Sequence, residues 1–365
     1  MVMKMKKILC VLLSVVLLLS LCSCTLEDLL NLPSPKDYTL LGDSKLIVHF
    51  IDVGQGDSTL LESNGEFVLI DAGEKEYGDD VTDYIESRNC DELKYIIATH
   101  PDSDHIGGMK TVIECVDTES FITSETDKST ATWLNVLKAV DDYDINYIDA
   151  APGETYSFGE ATFTILAPLG DAYSTYNNYS VVIKVVCGDV SFLLTGDAEK
   201  ESEKEMLSSG EDLSADVLKC GHHGSSTSTT DAFLSAVHPA FAVISCGENN
   251  EYGHPHKETV AKLKDRDIAY YRTDLLGTII ATTDGNGLSF LSHGGKEIET
   301  ATYSKSEQKT ADSTSLTYVG NKNSKVFHRY DCSGVKTMSD KNMVFFKSRE
   351  SAVEKGYTPC SLCNP

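Results

Sequence analysis

The chain has 365 residues, 41% of them hydrophobic, and a formal net charge of −25 at pH 7. This length and composition are typical of a globular protein with one large domain and room for a smaller module. The acidic balance excludes a nucleic-acid binder that works through a broad basic surface, because such proteins hold phosphates with clustered Lys and Arg.

Residues 1–24 have the pattern of a bacterial lipoprotein signal peptide. Three Lys among the first seven residues precede the apolar run Ile8–Leu21, which is short for a membrane span. The next residues, Cys22-Ser23-Cys24, complete what resembles a lipobox, which implies that Cys24 is lipidated. An ordinary signal peptide, or an uncleaved anchor with Cys24 incidental, is the alternative. We expect 25–44 to be a tether, and the protein to lie at the extracellular face of the bacterial cell membrane through a lipid anchor only, or to be secreted.

Hydrophobic strands recur along 45–295. The apolar segment Leu46–Val53 predicts a buried strand, and Ser63-Asn64-Gly65 predicts a hairpin between the next two strands. Later segments predict strands that end at Thr99, Leu194, Lys219 and Ser245, and helices over Met109–Cys115, Glu199–Ser208 and Thr259–Arg266. Strand pairs mixed with helices predict two sheets sandwiched between helices, an α/β fold.

Metal-capable side chains follow four of these predicted strands. His100, Asp102, Asp104 and His105 stand within six residues after the strand that ends at Thr99. Imidazoles and carboxylates together suit zinc, manganese or iron. Two His and two Asp exceed the needs of one tetrahedral site, so they indicate two adjacent metals, or one metal with a base beside it. Later strands are followed by Asp197, by His222 and His223, and by His254.

Taken singly, these residues have ordinary interpretations. An Asp after a Gly is usually a turn residue, and a His pair flanked by Gly is usually part of a loop. Their recurrence after successive strands favours one shared site. For Gly54-Gln55-Gly56-Asp57 we expect a tight turn beneath that site.

The whole pattern resembles the metallo-β-lactamase fold, whose signature His-x-His-x-Asp-His follows a strand. Here the segment reads His100-Pro-Asp-Ser-Asp-His105, with Asp102 in place of the second His. With the following Gly107-Gly108 it looks like the ComEC branch, the soluble domain of competence-type DNA-uptake proteins and its free-standing relatives. Further motifs match that branch in order over roughly 45 to 295. They are Phe50–Ser58, Asn177–Val182, Leu193–Asp197, Leu218–Ser225 and Tyr252–Pro255.

The resemblance implies an αββα metallo-β-lactamase sandwich that holds two divalent metals, Zn or Mn. It implies that His100 and Asp102 ligate the first metal, that Asp104 and His105 ligate the second, and that Asp197 bridges both. It implies His222 as a further ligand, His223 and His254 as lining ligands or donors, and Asn177 near the usual place of a third His on the first metal. Asp104 would orient the nucleophile, and His223 or His254 would donate a hydrogen bond or a proton to the leaving oxygen.

These features predict an extracellular dinuclear-metal hydrolase in which a metal-bridging hydroxide attacks phosphorus. The expected substrate is DNA or another phosphodiester, and no other partner is implied. Asp102 argues against a β-lactam, for which relatives use an imidazole-rich first site. Two alternatives stay open: hydrolysis of a phosphocholine ester, lactone or thioester on the same fold, and a non-catalytic surface-binding lipoprotein.

Residues 317–365 carry a separate metal pattern, after a segment, 296–316, that we expect to be a linker. This stretch has eight Lys and Arg against four Asp and Glu. The pairs His328/Cys332 and Cys360/Cys363 are typical of structural zinc, with a Cys360–Cys363 disulfide as the alternative. The segment looks like an Ada-type metal-binding domain, with His328 where relatives that donate four Cys have Cys. The resemblance implies one structural zinc, because a module this small needs a metal to stabilise its fold.

Overall fold

The computed structural model describes residues 44–292, 303–304, 318–329, 332–336, 338, 342–346 and 349–365. The predicted signal peptide, the tether up to Asp43 and most of the predicted linker lie outside the described residues. Within the described ranges, no helix combines the length and the apolar character that a membrane crossing requires.

The described residues form twenty strands. In chain order they are β1 (Leu46–Phe50), β2 (Thr59–Ser63), β3 (Glu66–Ile70), β4 (Glu92–Ala98), β5 (Asp117–Thr123), β6 (Asn146–Asp149), β7 (Thr155–Phe158), β8 (Ala161–Ala167), β9 (Val182–Cys187), β10 (Val190–Leu194), β11 (Val217–Lys219), β12 (Phe241–Ile244), β13 (Ala269–Arg272), β14 (Ile279–Thr283), β15 (Gly287–Ser292), β16 (Tyr303–Ser304), β17 (Tyr318–Asn321), β18 (Val326–Arg329), β19 (Met343–Phe346) and β20 (Thr358–Pro359).

Two mixed sheets build the main part of the fold. The first has the order β16-β15-β14-β1-β2-β3-β4-β5-β6, and the second β13-β12-β11-β10-β9-β8-β7. Strands β3 to β6 run parallel in the first sheet, as do β10 to β13 in the second. Parallel strands end at the same edge of a sheet, so the loops that follow them are brought together there.

The main core lies between the two sheets. Alternate residues of a strand face opposite sides. Val68 and Ile70 of β3 therefore pack into the core between the sheets, whereas Phe67 and Leu69 pack in a second cluster on the opposite face. Because both faces are covered, such strands are apolar nearly throughout, which made them recognisable in the sequence.

Helices cover the outer faces of both sheets. In chain order the helices are α1 (Gly78–Ser87), α2 (Ser103–Ile106), α3 (Met109–Cys115), α4 (Ala131–Asp142), α5 (Lys200–Ser209), α6 (Asp231–Val237), α7 (Lys257–Lys264), α8 (Thr273–Leu276), α9 (Ser333–Lys336) and α10 (Arg349–Glu354). Val112 of α3 and Val136 of α4 pack in the cluster beside the first sheet, and Met206 of α5 and Leu234 of α6 pack in the cluster beside the second. The layers confirm the predicted αββα sandwich.

The C-terminal strands form a small sheet of their own, with the order β19-β17-β18-β20. One cluster of buried side chains contains Val319, Cys332 and Cys360, and another contains Phe327 and Phe346. Helix α10 begins at Arg349 and ends at Glu354. Gly356 follows it with φ near +80°, a conformation that glycine adopts without strain.

Candidate metal centre

The predicted metal-capable residues meet where the parallel strands end. His100 follows β4 of the first sheet, whereas Asp197, His223 and His254 follow β10, β11 and β12 of the second. The two sheets come together at this edge, because His105 Nε2 lies 3.2 Å from Asp197 Oδ1. One site therefore draws its side chains from both sheets.

Four buried side chains form the tightest part of the site. Asp57, His105, Asp197 and His223 each place one potential ligand atom within 4.8 Å of all the others. A fifth group is close by, since His223 Nε2 lies 3.1 Å from Asp104 Oδ2. Imidazoles mixed with carboxylates are the donor set that suits zinc, manganese or iron.

Four imidazoles of the site contact an oxygen atom of a neighbouring residue through Nδ1. The contacts are His100 Nδ1 with Thr99 Oγ1 (3.1 Å), His105 Nδ1 with Asp71 Oδ2 (2.7 Å), His222 Nδ1 with Glu199 Oε1 (3.1 Å) and His223 Nδ1 with the backbone oxygen of Ser245 (3.1 Å). A ring that is held through Nδ1 presents Nε2 to a metal, and carboxylates and carbonyls behind the ring are the usual supports of ligating histidines.

Several buried atoms of the site lack a suitable partner. The Nε2 atoms of His100 and His105 and the Oδ1 atom of Asp197 make no well-aligned hydrogen bond to any described residue. Buried polar atoms in proteins are normally satisfied. A divalent metal among these atoms would be the missing partner, so the residues present fit the metals that the sequence predicts.

The charges of the site favour a bound cation. Burial, aided by the charge of His105, lowers the pKa of His100 to about 4, which leaves this imidazole neutral and able to ligate. Burial also opposes a charge on His223, but Asp197 and Asp57 outweigh it and raise the pKa of His223 to about 10. The carboxylates thus attract positive charge to the centre of the site.

Asp57 belongs to the site, although the sequence indicated only a turn beneath it. Its carboxylate joins the four-residue group and forms an ion pair with the buried Lys219. Burial alone would raise the pKa of Asp57, but Lys219 and His223 lower it to about 2. The sequence also provided no indication of Asp71, whose carboxylate contacts His105 Nδ1. Gly56 allows this packing, since a Cβ there would lie 2.4 Å from the Asp104 backbone oxygen.

The loop after β11 has an unusual backbone. His222 and His223 have φ values of 49° and 53°, in the left-handed region that side chains other than glycine seldom adopt. Two consecutive strained residues persist only where the surroundings impose them, and such strain concentrates at functional sites. In this loop, the left-handed backbone places the His223 side chain in the buried four-residue group. The His222 side chain is partly exposed, and its Nε2 atom lies 3.7 Å from Asp197 Oδ2.

The residues predicted for the first metal are arranged more loosely. His100 Nε2 lies 3.8 Å from Asp102 Oδ2, and the other oxygen of Asp102 forms an ion pair with Lys128. Asn177 contacts His222, with its Nδ2 atom 3.2 Å from Nδ1 of that ring. The assignment of Asn177 as a ligand stays a prediction.

His254 lies beside the other imidazoles, with its ring centre 5.3 Å from that of His222. Gln55 Oε1 accepts a hydrogen bond from the Gly247 backbone, which turns the amide nitrogen of Gln55 toward His254 Nδ1 at 3.4 Å. An amide N–H facing Nδ1 leaves the ring proton on Nε2. Burial lowers the pKa of His254 to about 4, so the ring is a neutral donor.

An open cleft of about 730 Å³ reaches the site. Asp102 and Asp104 form part of its lining, together with Tyr77 and Tyr252. The lining also carries Glu74, Glu76 and Glu251, and Lys128 is the single cation among the described residues that line it. A substrate can therefore approach the metal centre from solvent, through a mouth that is predominantly acidic.

The C-terminal strands carry a second metal group. His328, Cys332, Cys360 and Cys363 place potential ligand atoms within 4.8 Å of one another. The cysteines are thiols and not a disulfide, and Sγ of Cys363 accepts a hydrogen bond from the Arg329 backbone at 3.4 Å. Two backbone N–H groups lower the pKa of the Cys360 thiol, which favours the thiolate that zinc requires. These four side chains form a Cys/His metal group, with a donor set that suits zinc.

Comparison with curated proteins shows relatives that are considerably longer than the matched region. ComE operon protein 3 from Bacillus subtilis is 32% identical over 250 residues, which make up 64% of this chain and 32% of that protein. Recombination protein 2 from Haemophilus influenzae is 32% identical over 237 residues, or 64% of this chain and 28% of that protein. The match thus spans about a third or less of these relatives.

Family and structure comparisons cover both parts of the chain. A solved metallo-beta-lactamase fold protein, YhfI from Bacillus subtilis, aligns with a TM-score of 0.43 and 13% identity, over 62% of this chain and 96% of that one. The metal binding domain of Ada matches residues 301–365. The metallo-beta-lactamase superfamily matches residues 51–248, more than half of the chain. With its ComEC-type relatives and its C-terminal Ada-type domain, the chain belongs to the metallo-beta-lactamase superfamily.

Proposed function

We propose that this chain is a metal-dependent phosphodiesterase. The observation that carries the proposal is that the imidazoles of the site are held through Nδ1, while the buried Nε2 atoms of His100 and His105 make no well-aligned hydrogen bond to a described residue. When bound there, divalent metals supply Lewis acidity toward phosphoryl oxygens and lower the pKa of water. Asp104, His105 and His223 would hold one metal, His100 and Asp102 would hold the other, and Asp197 could serve either.

DNA is the phosphodiester that we favour. Asp102 replaces an imidazole at the first position, and a harder oxygen donor there suits a metal that binds phosphoryl oxygen. The relatives support the choice by name, since one is called a recombination protein and another, from Neisseria gonorrhoeae, a competence protein.

The acidic mouth limits how such a substrate is held. Lys128 faces a lining that contains five carboxylates, Glu74, Glu76, Asp102, Asp104 and Glu251. A polyanion gains little binding free energy from this lining, because its phosphates and the carboxylates of the cleft repel one another. The metal centre must therefore provide most of the attraction for the phosphodiester, and binding of DNA should depend on metal.

The side chains around the centre have distinct tasks. The Asp104 carboxylate lies 3.1 Å from His223 Nε2 and lines the cleft, so it can orient the attacking water. His254 carries its proton on Nε2, because Gln55 faces the other ring nitrogen. It can therefore donate a hydrogen bond to the departing oxygen. Gln55 holds His254 in this tautomer.

Asp104→Ala should lower hydrolysis of bis(p-nitrophenyl) phosphate by at least about a hundredfold, since it removes a group that acts on the reacting atoms. The assay compares the wild-type chain and the variant after loading with zinc, manganese or iron. Asp142→Ala is the matched control, because Asp142 is an exposed carboxylate in a helical ion pair with Lys138.

The same screen separates the alternatives. Wild-type protein that is inactive on this ester and on DNA with all three metals contradicts the proposal. Activity only on phosphocholine esters, lactones or thioesters would assign another hydrolase class to the fold. Metal-loaded protein without any activity would favour a binding role.

We also propose that the enzyme acts at the outer face of the bacterial cell membrane, held by a lipid on Cys24. The support is the order of charge, apolar run and Cys in residues 1–24, which lie outside the described part of the structure. A lipid anchor of this kind would keep the acidic domain close to the surface without a membrane-spanning helix.

A further inference from the structure

The two candidate metal positions differ in how closely their ligand atoms are grouped and in which carboxylate already pairs with a lysine. At the second position, His105, Asp197 and His223 place ligand atoms within 4.8 Å of one another and of Asp57, and within this group it is Asp57 that pairs with the buried Lys219. At the first position, the carboxylate of Asp102 already has a cation. One of its oxygens pairs with Lys128, and the other lies 3.8 Å from His100 Nε2.

Lys128 is held in place by more than this ion pair. It is largely buried, with 18% of its side chain exposed, and its Nζ atom lies 4.7 Å from the ring centre of Tyr176. The Tyr176 hydroxyl donates to Asp127 Oδ1 at 3.0 Å, and the Lys128 backbone N–H lies 3.3 Å from Thr126 Oγ1. An exposed ion pair would be weak and mobile. A cation gripped by a carboxylate and an aromatic face is better ordered.

We propose that Lys128 acts as a built-in cation at the first metal position. The main domain then holds one divalent metal tightly, at Asp104, His105, Asp197 and His223. A second metal enters only by displacing Lys128 from Asp102, because an ammonium and a divalent cation compete for one carboxylate and repel each other. The proposal deepens the metal dependence of the proposed function, and it rests on the metal site alone, not on the substrate.

Metal counting tests the proposal directly. The full chain, with its C-terminal module first loaded with zinc, is titrated with Mn²⁺ and followed by calorimetry and by electron paramagnetic resonance. The wild-type chain should bind one Mn²⁺ tightly and show isolated-ion spectra. Lys128→Met should bind a second Mn²⁺ at least about tenfold more tightly than the wild type does, with spectra of an exchange-coupled pair.

Three further variants make the test specific. Lys128→Arg retains the charge and should behave like the wild type. Lys138→Met removes an exposed lysine of a helical ion pair and should also leave the titration unchanged. Tyr176→Leu removes the ring against Lys128 and should tighten the second Mn²⁺, so it gives an independent measurement if Lys128→Met does not fold.

Equal affinity for the second Mn²⁺ in the wild type, Lys128→Met and Tyr176→Leu would overturn the proposal. A wild-type chain that binds two Mn²⁺ with similar affinity and shows the coupled spectrum would overturn it as well. Neither readout depends on turnover, so a failure of the phosphodiesterase assignment and a failure of this proposal are distinguishable.

Discussion

Lys219 is a buried lysine at the candidate metal centre, and its charge offsets the repulsion among the carboxylates there. Lys219 ends strand β11, and its Nζ atom pairs with Asp57, donates to the Gly196 backbone at 2.9 Å and lies 4.0 Å from Asp197 Oδ1. It brings a positive charge among carboxylates that would otherwise repel one another. The metal centre therefore depends on a cation that is part of the chain.

Lys219→Met should destabilise the fold by about 3–5 kcal/mol, because it leaves the buried carboxylate of Asp57 without its partner. Urea denaturation of the metal-free chain measures the free energy of unfolding. Lys184→Met is the control: Lys184 pairs with Asp212, which is 75% exposed, and such a pair contributes about 0–1 kcal/mol. Similar losses in both variants would contradict the role of Lys219.

The strength and the limit of sequence reasoning both show at single residues. His100, Asp104 and His105 were recognisable because a dense run of ligand types follows one strand. The pairing of Asp57 with Lys219 was not recognisable, because these residues lie in separate motifs 162 positions apart and no local pattern links them. A buried ion pair has no signature until the chain folds, although Lys219 at the end of an apolar strand was a usable hint.

The strands were predictable from the sequence where both faces of the sheet are covered and nearly every residue of the strand is buried. Strand β10 ends at Leu194 and helix α3 spans Met109–Cys115, as the apolar pattern predicts. Strand β1 ends at Phe50, three residues before the predicted Val53, and the Ile51 backbone N–H donates to the Ser58 backbone oxygen at 2.9 Å. Element boundaries depend on such tertiary contacts more than on local pattern.

Other elements were missed for a physical reason. Strands β6 and β7 lie at the edges of their sheets and are mostly exposed, so they lack the continuous apolar run of the central strands. Helix α4 does have a helical pattern, with Trp133, Val136 and Val140 buried and Thr130 accepting a hydrogen bond at its N-terminus. The apolar spacing of this segment was therefore enough to predict the helix.

The C-terminal sheet should depend on its metal. Cys363→Ser should lose one equivalent of zinc and the protection of 318–365 against proteolysis, because so small a core needs the metal to fold. The thermal transition of the main domain should not change. Cys115→Ser is the control, since Cys115 is exposed and is not part of this zinc group. Unchanged zinc content in Cys363→Ser would contradict the assignment.

At the scale of the whole molecule, the chain combines an acidic metallo-beta-lactamase-type domain, a basic terminal segment and an N-terminal sequence that resembles a lipoprotein signal. The net charge of −25 favours solubility and gives no general affinity for nucleic acid. Catalysis on DNA would then rely on the metal centre and on placement at the cell surface. The segment boundaries 1–24, 25–44, 45–295, 296–316 and 317–365 stay predictions.

Cys24→Ser should release the protein from the membrane fraction of a bacterial host, because it removes the proposed site of lipidation. Wild-type protein should incorporate labelled fatty acid and the variant should not. Cys10→Ser, within the apolar run, should behave like the wild type. Labelling that persists in Cys24→Ser would contradict the proposed anchor.

The sequence by itself was enough to predict the class of fold and the family, and to name most of the candidate ligand residues that the fold brings together, because strand burial and motif spacing depend on neighbouring residues. Only the folded chain decided that Asp57 and His223 belong to the tightest group, that His222 stands to one side, and that Lys128 pairs with Asp102. These outcomes depend on distances between residues that are far apart in sequence, and such distances are set by how the two sheets pack.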